Sequence, residues 1–377
     1  MIILNKPYVS DFLIETINKN SFSVLDNEVA RNYLPKERLT STEDAIKEKL
    51  FYSNSENSID WVLENMPESD LAQMIRISKD KALFREKLKP IYPDYFFKEV
   101  GADELKDLDT ESLKFPFVLK PTVGFLSFGV YPIKNKEDWQ KTLDKIDLDI
   151  ERFKNIFPQS VVDTNKFLIE EMIDGEEYAI DGYFDENNEA TILNVFLHPF
   201  FNDEDVSDRA YYTSKKIIEE NLADFKAMLD KIGKVCGYKN FPFHLELRKN
   251  DKSIIPIELN PLRLCGWCIT DIAYYAWGIN VYEYYLKQLK PDWNEILRNA
   301  PEDYFYFTLG DIPSEINRNE IKEIDFDSYL KNIEKLLSIR KIDYSVNPLF
   351  AIVFGQTPNL DEIKNLLKLD MSRFVKL

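Results

Sequence analysis

Apolar positions along the chain fall in short blocks, and the spacing inside each block predicts its element. Residues 2–4 and 21–25 read as strands, residues 9–18 as a helix, and helical spacing returns at 58–65 and 71–77. Strands alternating with helices predict a small parallel α/β unit. A basic helix follows over 79–88 and stops near Pro90, and a solvated face is the simpler reading of its cations. Over 115–133 two apolar strands flank a turn that carries Gly124, Ser127 and Gly129, with Lys120 near the end of the first strand. A charged helix is expected at 136–155, strands at 179–184 and 191–197, and a helix at 215–235. After the apolar helical run 269–286, the pattern restarts beyond Pro291 as strand 304–309, helix 329–339, strand 350–354 and helix 360–367.

The most informative block is 241–263. Glu246 sits in the middle of an apolar run, residues 248–252 form a polar turn, and a second run carries Glu258 and Asn260. That punctuation predicts a hairpin. Alternation places Glu258 and Asn260 on one face, and pairing brings Glu246 opposite them. Buried carboxylates without a counter-charge are costly. A hard divalent cation with oxygen ligands, such as Mg2+ in phosphate chemistry, resolves the conflict. A solvated hairpin face is the plain alternative.

Composition narrows the partners. The chain has 377 residues and a net charge of −18, which predicts two or three units and disfavours nucleic-acid phosphates and anionic lipid. No apolar run approaches a spanning helix, and three cysteines form no disulfide framework. A cytoplasmic protein is expected. Glycine is scarce, 11 residues in all, so the pair at Gly124 and Gly129 points to a backbone requirement, such as amides closing over phosphates with a lysine aimed at the same anion.

Four separated pieces now stand in one order: Asp80-Lys81 on a helix, Lys120 with a glycine loop, the segment 167–178 containing Glu170, Glu171 and Gly175-Glu176-Glu177, and the hairpin of Glu246, Glu258 and Asn260. That order resembles the ATP-grasp superfamily over roughly residues 79–290, whose members hold ATP between two α+β subdomains and mostly ligate a carboxylate to an amine or thiol. The resemblance implies an α/β chain of three parts: an N-terminal parallel domain at 1–78, a two-subdomain core at 79–165 and 166–290, and a C-terminal α/β extension at 291–377. It also implies roles. Lys81 and Lys120 would contact ATP phosphates under a lid at 124–129. Glu170 and the backbone at Glu171 and Ile173 would meet adenine, and Glu177 the ribose. Glu246, Glu258 and Asn260 would hold two Mg2+ ions.

The chain departs from that pattern at identifiable places. Phe125, Leu126 and Phe128 crowd the lid, and Leu262 puts Arg263 third after Asn260 where relatives have an arginine second. Arg263 is the candidate clamp for a substrate carboxylate and, with Lys120, the candidate catalytic group. His244, two before Glu246, either touches phosphate or packs. Cys265 and Cys268 form a C-x-x-C read as packing rather than redox or zinc chemistry. Residues 201–209 are polar, and Asp203, Glu204, Asp205 and Asp208 would favour a cationic amine. The expected activity is an ADP-forming carboxylate–amine ligase acting on small molecules, with a homodimer among the expectations. A small-molecule kinase and a nucleotide-binding regulator are the alternatives.

Overall fold

The computed structural model describes residues 1–109, 113–123, 129–156, 163–202 and 207–377. The N-terminal blocks form a four-stranded parallel sheet in the order Leu39–Thr40, Val24–Leu25, Ile2–Ile3, Tyr52–Ser53, as their alternation with helices predicts. The helix Asp11–Asn20 starts where Ser10 accepts the Leu13 N–H, and Ser21 closes it in the left-handed region at φ 54°. Ser69 caps the helix Asp70–Lys79 in the same way, and Asp80 then caps Lys81–Leu88 by accepting from Leu83 N–H. A serine or aspartate at these starts satisfies one of the free amides of a first turn, so the chain passes from helix to helix at Asp80 without a loop.

A second sheet, antiparallel, runs Phe97–Gly101, Asp163–Glu171, Phe117–Val123, Tyr131–Ile133. With the helix Lys136–Ile156 it has its own core around Phe117, Leu119, Trp139, Phe167 and Ile169. The strand Asp163–Glu171 belongs to this sheet, and the chain enters the next sheet with the strand Glu176–Phe184. The third sheet has eight antiparallel strands in the order Ile254–Pro261, Phe241–Lys249, Glu176–Phe184, Ala190–His198, Ala210–Ser214, Tyr304–Asp311, Leu349–Thr357, Lys335–Lys341. It shares one continuous core with the N-terminal unit.

Two local readings are corrected. The helix expected at 329–339 is a short helix, Phe326–Leu330, followed by the strand Lys335–Lys341. That strand pairs with Leu349–Thr357, whose residues are nearly all buried, and tertiary pairing overrides local helical spacing. The run at 269–286 is broken into the helices Ile272–Trp277 and Val281–Leu286, because Gly278 closes the first at φ 70° and Asn280 caps the second. The C-terminal strands are therefore built into the large sheet. Among the described residues, no helix is long and apolar enough to cross a membrane.

Candidate active site

The hairpin Phe241–Lys249 and Ile254–Pro261 has the register the sequence predicts: Glu246 faces Glu258 and His244 faces Asn260. Asn250 Oδ1 closes the turn by accepting the N–H groups of Lys252 and Ser253. Between the carboxylates, the Asn260 amide donates to Glu246 Oε1 at 3.4 Å and to Glu258 Oε1 at 3.2 Å. Burial, then the charge of Glu258, pushes the Glu246 carboxyl well above its ordinary range. Glu258 is half-buried, which opposes its ionisation, but Lys81 Nζ lies 2.8 Å from its Oε2 and holds it down at about 2. Two adjacent carboxylates, one of them driven toward its protonated form, fit a divalent cation. The Asn260 NH2 group donates to both carboxylates, and turning the amide by about 180° would present its oxygen to a cation held by them. Among the described residues no three His, Cys, Asp or Glu side chains gather as a metal group. The donor set is thus two carboxylates and a carboxamide, which suits Mg2+ keeping water and substrate oxygens as its other ligands.

The solvated-face reading of helix Lys81–Leu88 fails at two positions. Lys81 and Arg85, one turn apart, are both buried, because both find carboxylates. Arg85 Nε donates to Glu170 Oε2 at 2.7 Å, Nη1 to Pro256 O at 2.6 Å and Nη2 to Ile257 O at 3.3 Å. Its guanidinium also lies 4.6 Å over the Tyr95 ring. Lys120 pairs with the other oxygen of Glu170. Burial opposes ionisation of Glu170, but Arg85 and Lys120 together hold it at about 2. Burial lowers Lys120, with Arg85 and Lys81 adding to the shift against the pull of Glu170.

Along the segment after Glu170, each expected nucleotide contact already has a partner in the chain. Glu171 N–H donates to Phe96 O and its C=O accepts from Tyr95 Oη, both at 3.1 Å. Ile173 O accepts from Arg248 Nη1 at 3.2 Å. Glu177 lies 3.0 Å from His198 Nδ1 and accepts from Arg248 Nε at 3.1 Å. Gly129 takes φ 71°, a conformation suited to glycine. Gly124, Phe125, Leu126, Ser127, Phe128, Asp203, Glu204 and Asp205 lie outside the described residues. Asp208 is described, and its Oδ1 accepts from Tyr211 Oη at 2.8 Å.

Arg263 turns toward the N-terminal unit. Its Nε and Nη2 both donate to Glu56 Oε1, at 2.9 and 2.5 Å, and Lys79 Nζ holds Glu56 Oε2 at 2.6 Å. His244 Nδ1 lies 2.8 Å from Asp181 Oδ1, and its Nε2 is 3.9 Å from Glu246 Oε1. The same Asp181 oxygen accepts the Cys265 N–H at 2.7 Å. Burial raises the thiols of both Cys265 and Cys268, and both are free. Arg85, Glu56, Asp181 and Arg248 were not singled out in the sequence. The four-residue spacing of Lys81 and Arg85 was available as a signal, whereas Glu56 is 207 residues from Arg263 and gave none.

A family model described as "ATP-grasp domain" matches residues 113–271. Among solved structures, the chain is similar to an L-amino acid ligase from Bacillus licheniformis, with TM-score 0.69 and 16% identity over 100% of this chain and 97% of that one. It is also similar to carboxyaminoimidazole ribonucleotide synthase from Aspergillus clavatus, with TM-score 0.63 and 14% identity over 99% and 98%. A third is phosphoribosylglycinamide synthetase from Anaerococcus prevotii, with TM-score 0.60 and 14% identity over 100% and 98%. At these identities the likeness is one of fold. No curated protein matches the chain in sequence.

Proposed function

We propose, from the match of residues 113–271 to the ATP-grasp domain model, that the protein is an ATP-dependent, ADP-forming ligase. It would activate a small carboxylate, such as an amino acid, as an acyl phosphate and join it to an amine. The observation that carries the reading is the facing pair Glu246 and Glu258, with Asn260 between them and Lys81 on the outer oxygen of Glu258. The names of the similar structures, two synthetases or synthases and an amino acid ligase, support the same class. In this reading residues 1–78 form the N-terminal domain, 79–290 the ATP-grasp core and 291–377 the extension of its large sheet.

The charges around the seam suit a polyanion. Five cations (Lys79, Lys81, Arg85, Lys120 and Arg263) face four carboxylates (Glu56, Glu170, Glu246 and Glu258), and Glu246 is pushed toward its neutral form. Mg2+ at Glu246, Glu258 and Asn260 would neutralise phosphate oxygens and so favour attack on the γ-phosphorus. Lys81 and Lys120 would exchange their present carboxylate partners for phosphate oxygens. Arg263, fixed from behind by Glu56, would hold the carboxylate of the acid and the oxyanion that develops when the amine attacks. Glu170, Glu171, Ile173 and Glu177 would line the nucleoside, and each must give up or share a contact with Tyr95, Arg248 or His198 to do so.

The test is ADP release with a panel of amino acids and small acids, with and without an amine partner. Amine-dependent turnover yielding a new amide supports the reading. A phosphorylated acid as the final product would make the protein a kinase of the same fold. Magnesium-dependent nucleotide binding without turnover on any acid would make it a nucleotide-binding regulator.

A further inference from the structure

The segment 262–268 leaves the end of the strand Ile254–Pro261, at one edge of the large sheet, and carries Arg263 and Cys265 beside the site. Three of its residues other than glycine lie in the left-handed region: Leu262 at φ 66°, Trp267 at 56° and Cys268 at 54°. Such conformations are costly for residues with a side chain and persist only where the surroundings impose them. Here they are imposed from three sides. The N-terminal unit donates Ser53 N–H to Leu262 O at 2.8 Å. Asp181, from the centre of the sheet, accepts Cys265 N–H. From the opposite edge strand, Lys335–Lys341, Arg340 Nη1 donates to Trp267 O at 2.9 Å and to Cys268 O at 2.8 Å.

Arg340 is itself built in. It is buried, its Nη2 lies 2.5 Å from Asp271 Oδ2, and its guanidinium sits 4.5 Å over the Phe354 ring and 5.3 Å from that of Tyr8. Asp271 also accepts from Tyr282 Oη. Arg340 is thus the side chain that joins the last edge strand to the segment that follows the first.

We propose that Arg340, on the C-terminal extension, is a positioning residue for the acid-binding part of the site: by holding the carbonyls of Trp267 and Cys268 it fixes the strained segment that presents Arg263. The proposal rests on the ligase reading only for its kinetic part. Two variants test it: Arg340→Lys, which keeps the charge but lacks the planar fork that spans two carbonyls and Asp271, and Arg340→Met/Asp271→Asn, which removes both buried charges together and so leaves neither unpaired.

In folded variants the amides of 262–268 should exchange with solvent at least tenfold faster while ATP affinity by calorimetry stays within twofold. Acid-dependent ADP release should fall at least tenfold in kcat/KM for the acid. Unchanged exchange at 262–268 in a folded variant would overturn the proposal, and so would faster exchange with unchanged acid kinetics. A general loss of stability alone would weaken ATP binding and acid kinetics together, which also counts against a positioning role. If the wild-type protein released no ADP with any acid, the ligase reading would fail by itself, and the exchange measurement would decide the placement of the segment on its own.

Discussion

At the scale of single residues, the site is a set of ion pairs that a nucleotide must rearrange. Lys120 is buried against Glu170, so its transfer to a phosphate oxygen exchanges one charged partner for another. Lys120→Ala should weaken ATP binding by about 1.5–3 kcal/mol, the range for hydrogen bonds to charged groups; unchanged affinity by calorimetry would remove Lys120 from the site. Glu246 gives a pH prediction. Its folded pKa is raised by burial and by Glu258, so the folded chain keeps a proton that the unfolded chain loses above its ordinary pKa. Stability of the ligand-free protein should fall as pH rises through that window. Mg2+ must displace the same proton, so its affinity should climb over the same range. Titration of Mg2+ across pH checks the sign, and Glu246→Gln should flatten the stability profile while losing the metal. His244 is held by Asp181 and stays near Glu246, a geometry that supports either packing or contact with a bound phosphate.

At the scale of elements, the helix Lys81–Leu88 and the hairpin carry the architecture of the site. Arg85 ties Glu170 in the small sheet to the backbone of Pro256 and Ile257 in the large one, bridging two separate cores. Arg85→Met should cost roughly 3 kcal/mol in chemical denaturation, near the low end for breaking a buried pair, since Lys120 still neutralises Glu170. A change within experimental error would mean that the bridge is not a structural tie.

This is also the scale at which the sequence was most and least readable. Strand alternation fixed the faces of Glu246, Glu258 and Asn260 because the period of two leaves no freedom once pairing is set. The local run did not show that Lys81 and Arg85 are buried, and Lys81 was placed at the site only by the resemblance, since burial of a cation depends on carboxylates about 177 and 85 residues further along. Residues 329–339 were misread for a related reason: the strand at 335–341 exists because Leu349–Thr357 offers it a ladder, and no local pattern carries that information.

At the scale of the whole molecule, net charge and local charge point in opposite directions. The chain carries −18, yet the seam between the two cores gathers five cations, so attraction of ATP is a property of the site and not of the surface field. The N-terminal unit takes part through Glu56, whose half-buried carboxyl would be raised by desolvation but is held well below its ordinary range by Lys79 and Arg263. That pair of contacts contributes stability above the usual carboxylate range and loses it as pH falls. Glu56→Gln should therefore loosen Arg263 and raise KM for the acid at least tenfold while ATP affinity stays within twofold; equal loss of both would make Glu56 a purely structural residue. In the proposed ligation a substrate carboxylate oxygen attacks the γ-phosphorus, and the amine then attacks the acyl carbon, forming the C–N bond as the C–O bond breaks and phosphate leaves with that oxygen. The most direct measurement follows 18O from a labelled carboxylate during turnover with ATP and amine. The account predicts one labelled oxygen in the inorganic phosphate for each amide formed, and inorganic phosphate free of label alongside amide product would contradict it.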